Sequence, residues 1–280
     1  KLIIGTANFV NKYGIDSTKI NQNEIIKILK FSKKNKINKI DTAESYLNKK
    51  KIFKKIYKNF QFTTKIVPDY KWISFDYCQK KLDEHFKLFN ENKVHTLLFH
   101  DFSILFKREG SKIFNEFEKL KEKKYFKKIG LSIYDVEDLD YLVSNYNLDI
   151  IQCPYNIIDK RIIKSGWFDK LKNKDIKIHA RSIFLQGLLV NELICQKSYF
   201  KRWKKNFIEW FQILKDNDIS PIDYCLNDLL DYNFDQIVIG VNSCKNLKKI
   251  LNFRKIKKRK NQMLKINNNN IKLIDPRNWK

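Results

Sequence analysis

Along most of this chain, short apolar runs alternate with longer stretches in which apolar positions recur every three or four residues. Eight short runs stand out: Leu2–Gly5, Lys39–Thr42, Gln61–Ile66, His95–His100, Lys128–Ser132, Ile150–Pro154, Ile176–Ser182 and Gln236–Val241. Several are continuous and β-branched, the pattern of a parallel strand buried on both faces. The segments between them predict amphipathic helices over Glu24–Phe31, Phe75–Phe89, Ile113–Glu122, Val136–Tyr146, Phe200–Asn217 and Cys244–Phe253. In the first of these, Ile25, Ile28 and Leu29 share one face. Asn21 stands three residues before Glu24, as a helix N-cap does. Ser220-Pro221 splits the long interval before the last strand into two helical patterns. Strand and helix in regular alternation predict an α/β fold with a parallel sheet, here a single (β/α)8 TIM barrel. A doubly wound open sheet alternates in the same way, so closure of the barrel is an expectation rather than a reading of the pattern.

A length of 280 residues suits one barrel. No linker or repeat divides the chain, so the expected unit is one domain over 1–280, with 255–280 as a C-terminal extension. Asn267–Asn270 reads as a surface loop within that extension. Hydrophobic residues make up 43% of the chain, enough for a core that needs neither disulfides nor a metal. The five cysteines are scattered and form no C-x-x-C pair, which argues against a disulfide framework or zinc site and points to a reducing compartment. No apolar run is long enough for a membrane span and no signal-peptide core is visible, so the cytoplasm is the expected location.

The net charge of +26 raises the question of nucleic acid. Lysine, isoleucine and asparagine are all abundant, while glycine, proline and alanine are scarce, which is the bias of an A+T-rich genome. The lysines are spread along the chain, and the densest cluster, Arg254–Lys260, belongs to no recognisable binding module. A solvated surface therefore explains the charge, and neither a specific nucleic-acid partner nor a membrane partner is expected.

In a closed parallel barrel the C-terminal strand ends share one rim, where active sites form. The second run leads into Asp41-Thr42-Ala43-Glu44-Ser45-Tyr46, the third contains Thr64-Lys65, and the fourth ends in Phe99-His100. Three consecutive strands would thus bring an acid, a phenol, an amine and an imidazole together. A tyrosine with a pKa near 10 is a poor acid at neutral pH, but a neighbouring ammonium lowers that value. Asp41 would keep Lys65 charged, and His100 would orient a carbonyl or share in the proton relay. Taken singly, each residue is more readily an ion pair, a packed ring or a rim side chain. Jointly they suit protonation of an oxygen.

The sequence resembles the aldo/keto reductase family from Leu2 to about Phe253. The resemblance lies in eight pieces in family order: Ile4-Gly5-Thr6-Ala7; Asp41-Thr42-Ala43 with Tyr46; Thr64-Lys65; Phe99-His100; Gly130-Leu131-Ser132; Gln152 with Pro154-Tyr155-Asn156; Arg181-Ser182-Ile183-Phe184-Leu185-Gln186-Gly187-Leu188-Leu189; and Ile239-Gly240-Val241. It implies a nicotinamide-dependent oxidoreductase that reduces an aldehyde or ketone, sugar-like among the candidates, to an alcohol. Tyr46 would be the general acid, supported by Lys65, Asp41 and His100. The implied cofactor is NADPH, with NADH as the alternative. Ser132 and Gln152 would hold the nicotinamide carboxamide, and Gly5, Thr6 and Ala7 would form the first turn beside it. Ser182, Leu185, Gln186 and Gly187 would lie along the pyrophosphate, and Gly240, Ser243 and Asn246 would reach the adenosine half. Absence of a G-x-G-x-x-G motif fits this family and disfavours a Rossmann site.

The chain departs from the family at three places: Ile133 replaces an asparagine, Arg181 an aromatic that stacks on nicotinamide, and Lys249-Ile250 an acid and asparagine near adenine. Lys245 and Lys248 are candidates to meet a 2′-phosphate. Loop residues Phe9, Tyr13, Pro68–Trp72 and the region after Leu189 are expected to select a small-molecule carbonyl substrate. A non-catalytic nucleotide-binding regulatory subunit of the same fold is the alternative, disfavoured because such a subunit needs no proton donor. The sequence leaves the number of subunits open.

Overall fold

In the computed structural model, which describes residues 1–10, 15, 20–47, 60–89, 94–256 and 270–279, eight parallel strands close into a barrel in chain order. They are β1 (Leu2–Gly5), β2 (Lys39–Asp41), β3 (Gln61–Ile66), β4 (Val94–Phe99), β5 (Lys128–Ser132), β6 (Ile150–Pro154), β7 (Lys177–Arg181) and β8 (Gln236–Gly240). The closing pair is β1 with β8, where Gly5 lies beside Gly240; on its other side Gly5 meets Asp41. The open-sheet alternative is thereby excluded. All eight expected strands are present, with ends moved by a residue: Thr42, His100 and Ser182 fall just outside, though the Thr42 and His100 N–H groups still donate to the neighbouring strand at 2.9 and 2.7 Å.

The longer helices are α1 (Gln22–Lys34), α2 (Phe75–Phe86), α3 (Gly110–Glu122), α4 (Leu139–Asn145), α5 (Trp167–Asn173), α6 (Lys204–Asp216), α7 (Pro221–Leu229) and α8 (Cys244–Leu251). Helix α1 starts where the sequence predicts, with the Asn21 side chain accepting from the Glu24 N–H at 2.9 Å. Its apolar face, Ile25, Ile28 and Leu29, is buried. Proline at the first position of α7 lacks the N–H that a helix start leaves unpaired in any case. Helix α5 was not expected: its seven residues make only about two turns, yet Trp167, Phe168 and Leu171 are buried. Asn270 directly precedes the short helix Ile271–Ile274 without a side-chain capping bond, while Asn267–Asn269 of the expected loop and Lys257–Lys260 of the basic cluster lie outside the described residues.

The strands' aliphatic and aromatic side chains and the inner helix faces form one continuous core. Gly130 is required there, since a Cβ would lie 2.0 Å from the Ile150 carbonyl oxygen of the next strand. A second apolar cluster packs α6 and Ile271–Ile274 against the segment after β7, including Leu185, Leu188 and Leu189. It props that segment from outside the barrel. Among the described residues no helix is long and apolar enough to cross a membrane.

Two histidines are enclosed in this scaffold. His85 meets Thr64 Oγ1 through Nε2 at 2.8 Å, and His179 lies in β7. Burial pushes both imidazoles down to about 4 from their ordinary 6.5. The unfolded chain therefore binds more protons than the folded one between these values, so stability is full above about pH 6.5 and falls as the pH is lowered towards 4. Each site contributes a slope of up to about 1.4 kcal/mol per pH unit in that window. Urea unfolding at pH 7.0, 5.5 and 4.5 should show the midpoint falling progressively; an unchanged midpoint would count against neutral interior imidazoles.

Candidate active site

At the C-terminal rim the barrel opens into a cavity of about 420 Å³. Asp41, Tyr46, Lys65 and His100 all line it. Asp41 ends β2, Lys65 sits one residue before the end of β3, and His100 follows β4. Tyr46 is carried by the short helix Glu44–Leu47, whose first turn is held by a Tyr46 N–H to Ala43 carbonyl bond of 2.9 Å.

Lys65 and Asp41 form a buried ion pair. The ammonium also donates to the Thr42 carbonyl oxygen at 3.1 Å. An ammonium has three N–H donors, so one is left for an oxygen in the cavity. Burial draws the Lys65 pKa below its usual range, the Asp41 carboxylate opposes that, and the Arg181 guanidinium adds to it. The second oxygen of Asp41 accepts from Gln152 Nε2 at 2.7 Å, and Ser132 Oγ donates to Gln152 Oε1 at 3.4 Å. Asp41 is thereby fixed from two sides, and Gln152 keeps only one amide N–H for a ligand.

The rings of Tyr46 and His100 meet edge to face, with centroids 6.3 Å apart. Burial, reinforced by Lys65 and Arg181, depresses the His100 pKa to about 4. At neutral pH this imidazole is uncharged; it can orient an oxygen by hydrogen bonding but holds no extra proton to give. Among the four, the phenol and the Lys65 ammonium carry the protons that an oxygen in the cavity could receive.

Beyond this quartet the cavity runs past Ser182, Gln186 and Gly187 to Gly240 and Asn246. Ser182, Leu185, Gln186 and Gly187 all have φ between +45° and +94°. Three non-glycine residues in left-handed conformation within five positions represent stored strain, which surrounding structure must hold in place. Such turns expose successive backbone N–H groups, the kind of concavity that receives phosphate oxygens. Gly5, Thr6 and Ala7 also line the cavity, near the β1–β8 seam.

Two expected residues lie elsewhere. Leu185 is fully buried and packs into the second apolar cluster, so only its backbone serves the turn. Ser243 caps α8, accepting from the Asn246 N–H at 3.1 Å, and does not line the cavity. Among the lysines of α8 it is Lys249 that reaches the cavity, whereas Lys248 lies over the Phe31 ring, 5.5 Å from its centroid. Of the loop positions, Phe9 and Trp72 are buried in the core and Pro68–Trp72 does not line the cavity; Tyr13 lies outside the described residues. Val190, Asn191 and Ile194, after Leu189, do line it.

Sequence reasoning missed Asn8, Tyr134 and Asn242 as cavity residues. Asn8 Nδ2 donates to Asn242 Oδ1 at 2.5 Å across the β1–β8 seam, a contact between residues 234 positions apart that no local pattern reveals. Tyr134 is clasped by two guanidinium groups, Arg181 at 4.2 Å and Arg277 at 3.6 Å from its ring centroid. Arg181 also donates to the Ile133 carbonyl at 2.8 Å and to Ser182 Oγ at 3.2 Å. It has no carboxylate partner among the described residues, and neither does Lys249, so the cavity carries uncompensated positive charge.

A closed parallel barrel with this rim is the architecture of one class of oxidoreductase. The family profile for aldo/keto reductases matches residues 1–271, and the chain belongs to that family, whose members act on carbonyl compounds. Solved structures share the fold. A thermostable aldo-keto reductase, Tm1743, in complex with the inhibitor epalrestat superposes with a TM-score of 0.70 at 19% identity, covering 94% of this chain and 92% of its own. The holo form of aldo-keto reductase AKR11C1 from Bacillus halodurans gives 0.69 at 15% identity, covering 94% and 90%. The glycerol dehydrogenase AKR11B4 from Gluconobacter oxydans gives 0.68 at 16% identity, covering 93% and 88%. No protein of curated function matches the sequence.

Proposed function

We propose that this protein is an NADPH-dependent reductase that converts an aldehyde or ketone, a sugar-like carbonyl among the candidates, to an alcohol. The observation that carries the reading is the gathering of Tyr46, His100 and the buried Lys65–Asp41 pair in one cavity. In this reading residues 1–280 act as one barrel domain, with the C-terminal segment bracing the rim through Arg277 and Tyr134.

The cavity suits a dinucleotide. Its far end holds Asn246 and Lys249 of α8, its middle the left-handed turn after β7, and its near end Ser132 and one free N–H of Gln152. Uncompensated charge on Arg181 and Lys249 complements phosphates. A reduced nicotinamide, when bound, supplies the hydride. The chain supplies the rest. His100 and the remaining Lys65 N–H hold the carbonyl oxygen and polarise it. Tyr46 then gives its phenolic proton to the alkoxide oxygen as negative charge develops there. The Lys65 ammonium lowers the cost of the resulting phenolate, and Asp41 keeps that ammonium charged despite its burial.

Nucleotide titration followed by tryptophan fluorescence tests this directly. Saturable quenching is expected with NADPH at lower concentration than with NADH, and Lys249→Gln is expected to narrow the gap. Failure of both nucleotides to bind would end the proposal. Equal affinity would refute the NADPH preference alone.

A further inference from the structure

The barrel's opposite end holds a second cavity, of about 190 Å³, lined by residues at the N-terminal ends of the strands. At about 30 Å³ per water molecule, that is room for roughly six waters. A dinucleotide does not fit, but a small ion does. Its charged and titratable lining consists of Lys39, His95, Lys128, Lys177, His179 and Asp235.

The carboxylates at this end already have cationic partners. Asp235 pairs with Lys172 at 2.6 Å, Asp175 with Lys177 at 2.7 Å, and Asp149 with Lys121 at 2.6 Å. Lys39 and Lys128 are left half-buried with no carboxylate partner among the described residues. They are near enough that Lys128, after burial itself, helps to depress the Lys39 ammonium, and both lower the His95 imidazole. Holding two like charges at a partly desolvated rim is unfavourable unless an anion joins them.

An independent observation comes from below them. His179 is only 5% exposed and lines the same cavity, yet its Nδ1 is buried with no hydrogen-bond partner. An orphaned buried nitrogen costs about 1–3 kcal/mol. The imidazole ring itself lines the cavity, so a species bound there lies against the ring.

We infer that this cavity is a binding site for a small tetrahedral oxyanion, of the size and charge of inorganic phosphate or sulfate, held between Lys39 and Lys128 above His179. The site is separate from the catalytic rim and does not depend on the reaction proposed there. Its role is to neutralise the barrel's basic end and stabilise the fold when the anion is present.

Thermal unfolding of the full chain in phosphate, sulfate or chloride at fixed ionic strength tests it. Phosphate and sulfate should give a saturable rise in Tm that chloride does not. In Lys39→Gln/Lys128→Gln the half-saturating concentration should rise at least about tenfold, the effect of losing one charge-assisted hydrogen bond. Arg181→Gln, which alters the basic cavity at the other end, should leave the effect intact. The inference is overturned by a rise that persists in the lysine variant, by one that disappears with Arg181→Gln, or by no saturable rise. Nitrogen-15 spectra of the histidine rings add a direct readout: phosphate should displace the His179 signals in the unaltered protein, and stationary signals would overturn the site.

Discussion

Replacing Tyr46 with phenylalanine should lower kcat for carbonyl reduction by about a hundred- to ten-thousand-fold, the usual contribution of a placed general acid. The change removes one oxygen from a part-exposed ring, so the fold should stand. The edge-to-face contact with His100 involves the ring rather than the hydroxyl, so it too should survive. Nucleotide affinity should be unaltered. Steady-state rates over a panel of aldehydes and ketones, beside nucleotide titration, give the comparison. The depressed His100 pKa sharpens the expectation, because a neutral imidazole has no proton with which to replace the phenol. Undiminished turnover in Tyr46→Phe would remove the phenol from its role, whereas nucleotide binding without turnover in the unaltered protein would favour a binding subunit of the same fold.

Lys65→Met should abolish activity and also destabilise the protein by about 3–5 kcal/mol, because it strands the Asp41 carboxylate in the barrel interior. Gln152 would remain as a hydrogen-bond donor to Asp41, but no cation would face it. The double variant Lys65→Met/Asp41→Leu should recover much of that stability, since an apolar pair of similar volume often replaces a buried ion pair without loss. It should recover no activity. Urea unfolding measures the first effect and carbonyl reduction the second. A single variant as stable as the parent would mean that Asp41 is solvated or otherwise compensated, and the electrostatic role given to the pair would fall with it.

Much of the site was legible because its chemistry sits on consecutive strands. Asp41, Lys65 and His100 each lie within a residue of the end of an apolar run, and parallel strands in order must present their ends side by side. Tyr46 follows Asp41 closely enough that one short helix carries it to the same rim. Leu185 was harder to place: the turn after β7 is left-handed, so its side chain enters a neighbouring apolar cluster while Ser182, Gln186 and Gly187 line the cavity. Ser243 was misplaced because a serine before a helix can cap it or bind a ligand, and only coordinates reveal which. The link from Gln152 to Asp41 spans 111 positions, beyond any local pattern.

Hydrophobic period by itself determined the eight strands and most of the helices between them. Buried parallel strands need apolar side chains on both faces and helices need one apolar stripe, and both demands are written locally. The order of motifs determined the family as well. Closure belonged to the tertiary structure, because an open sheet and a barrel ask the same alternation of their residues. That closure sets Gly5 against Gly240, ties Asn8 to Asn242, and gathers Lys39, Lys128 and His179 around a cavity at the far end. Electrostatic character was likewise decided there. Whether a lysine is paired, or an imidazole charged, depends on neighbours and burial that only the folded chain supplies.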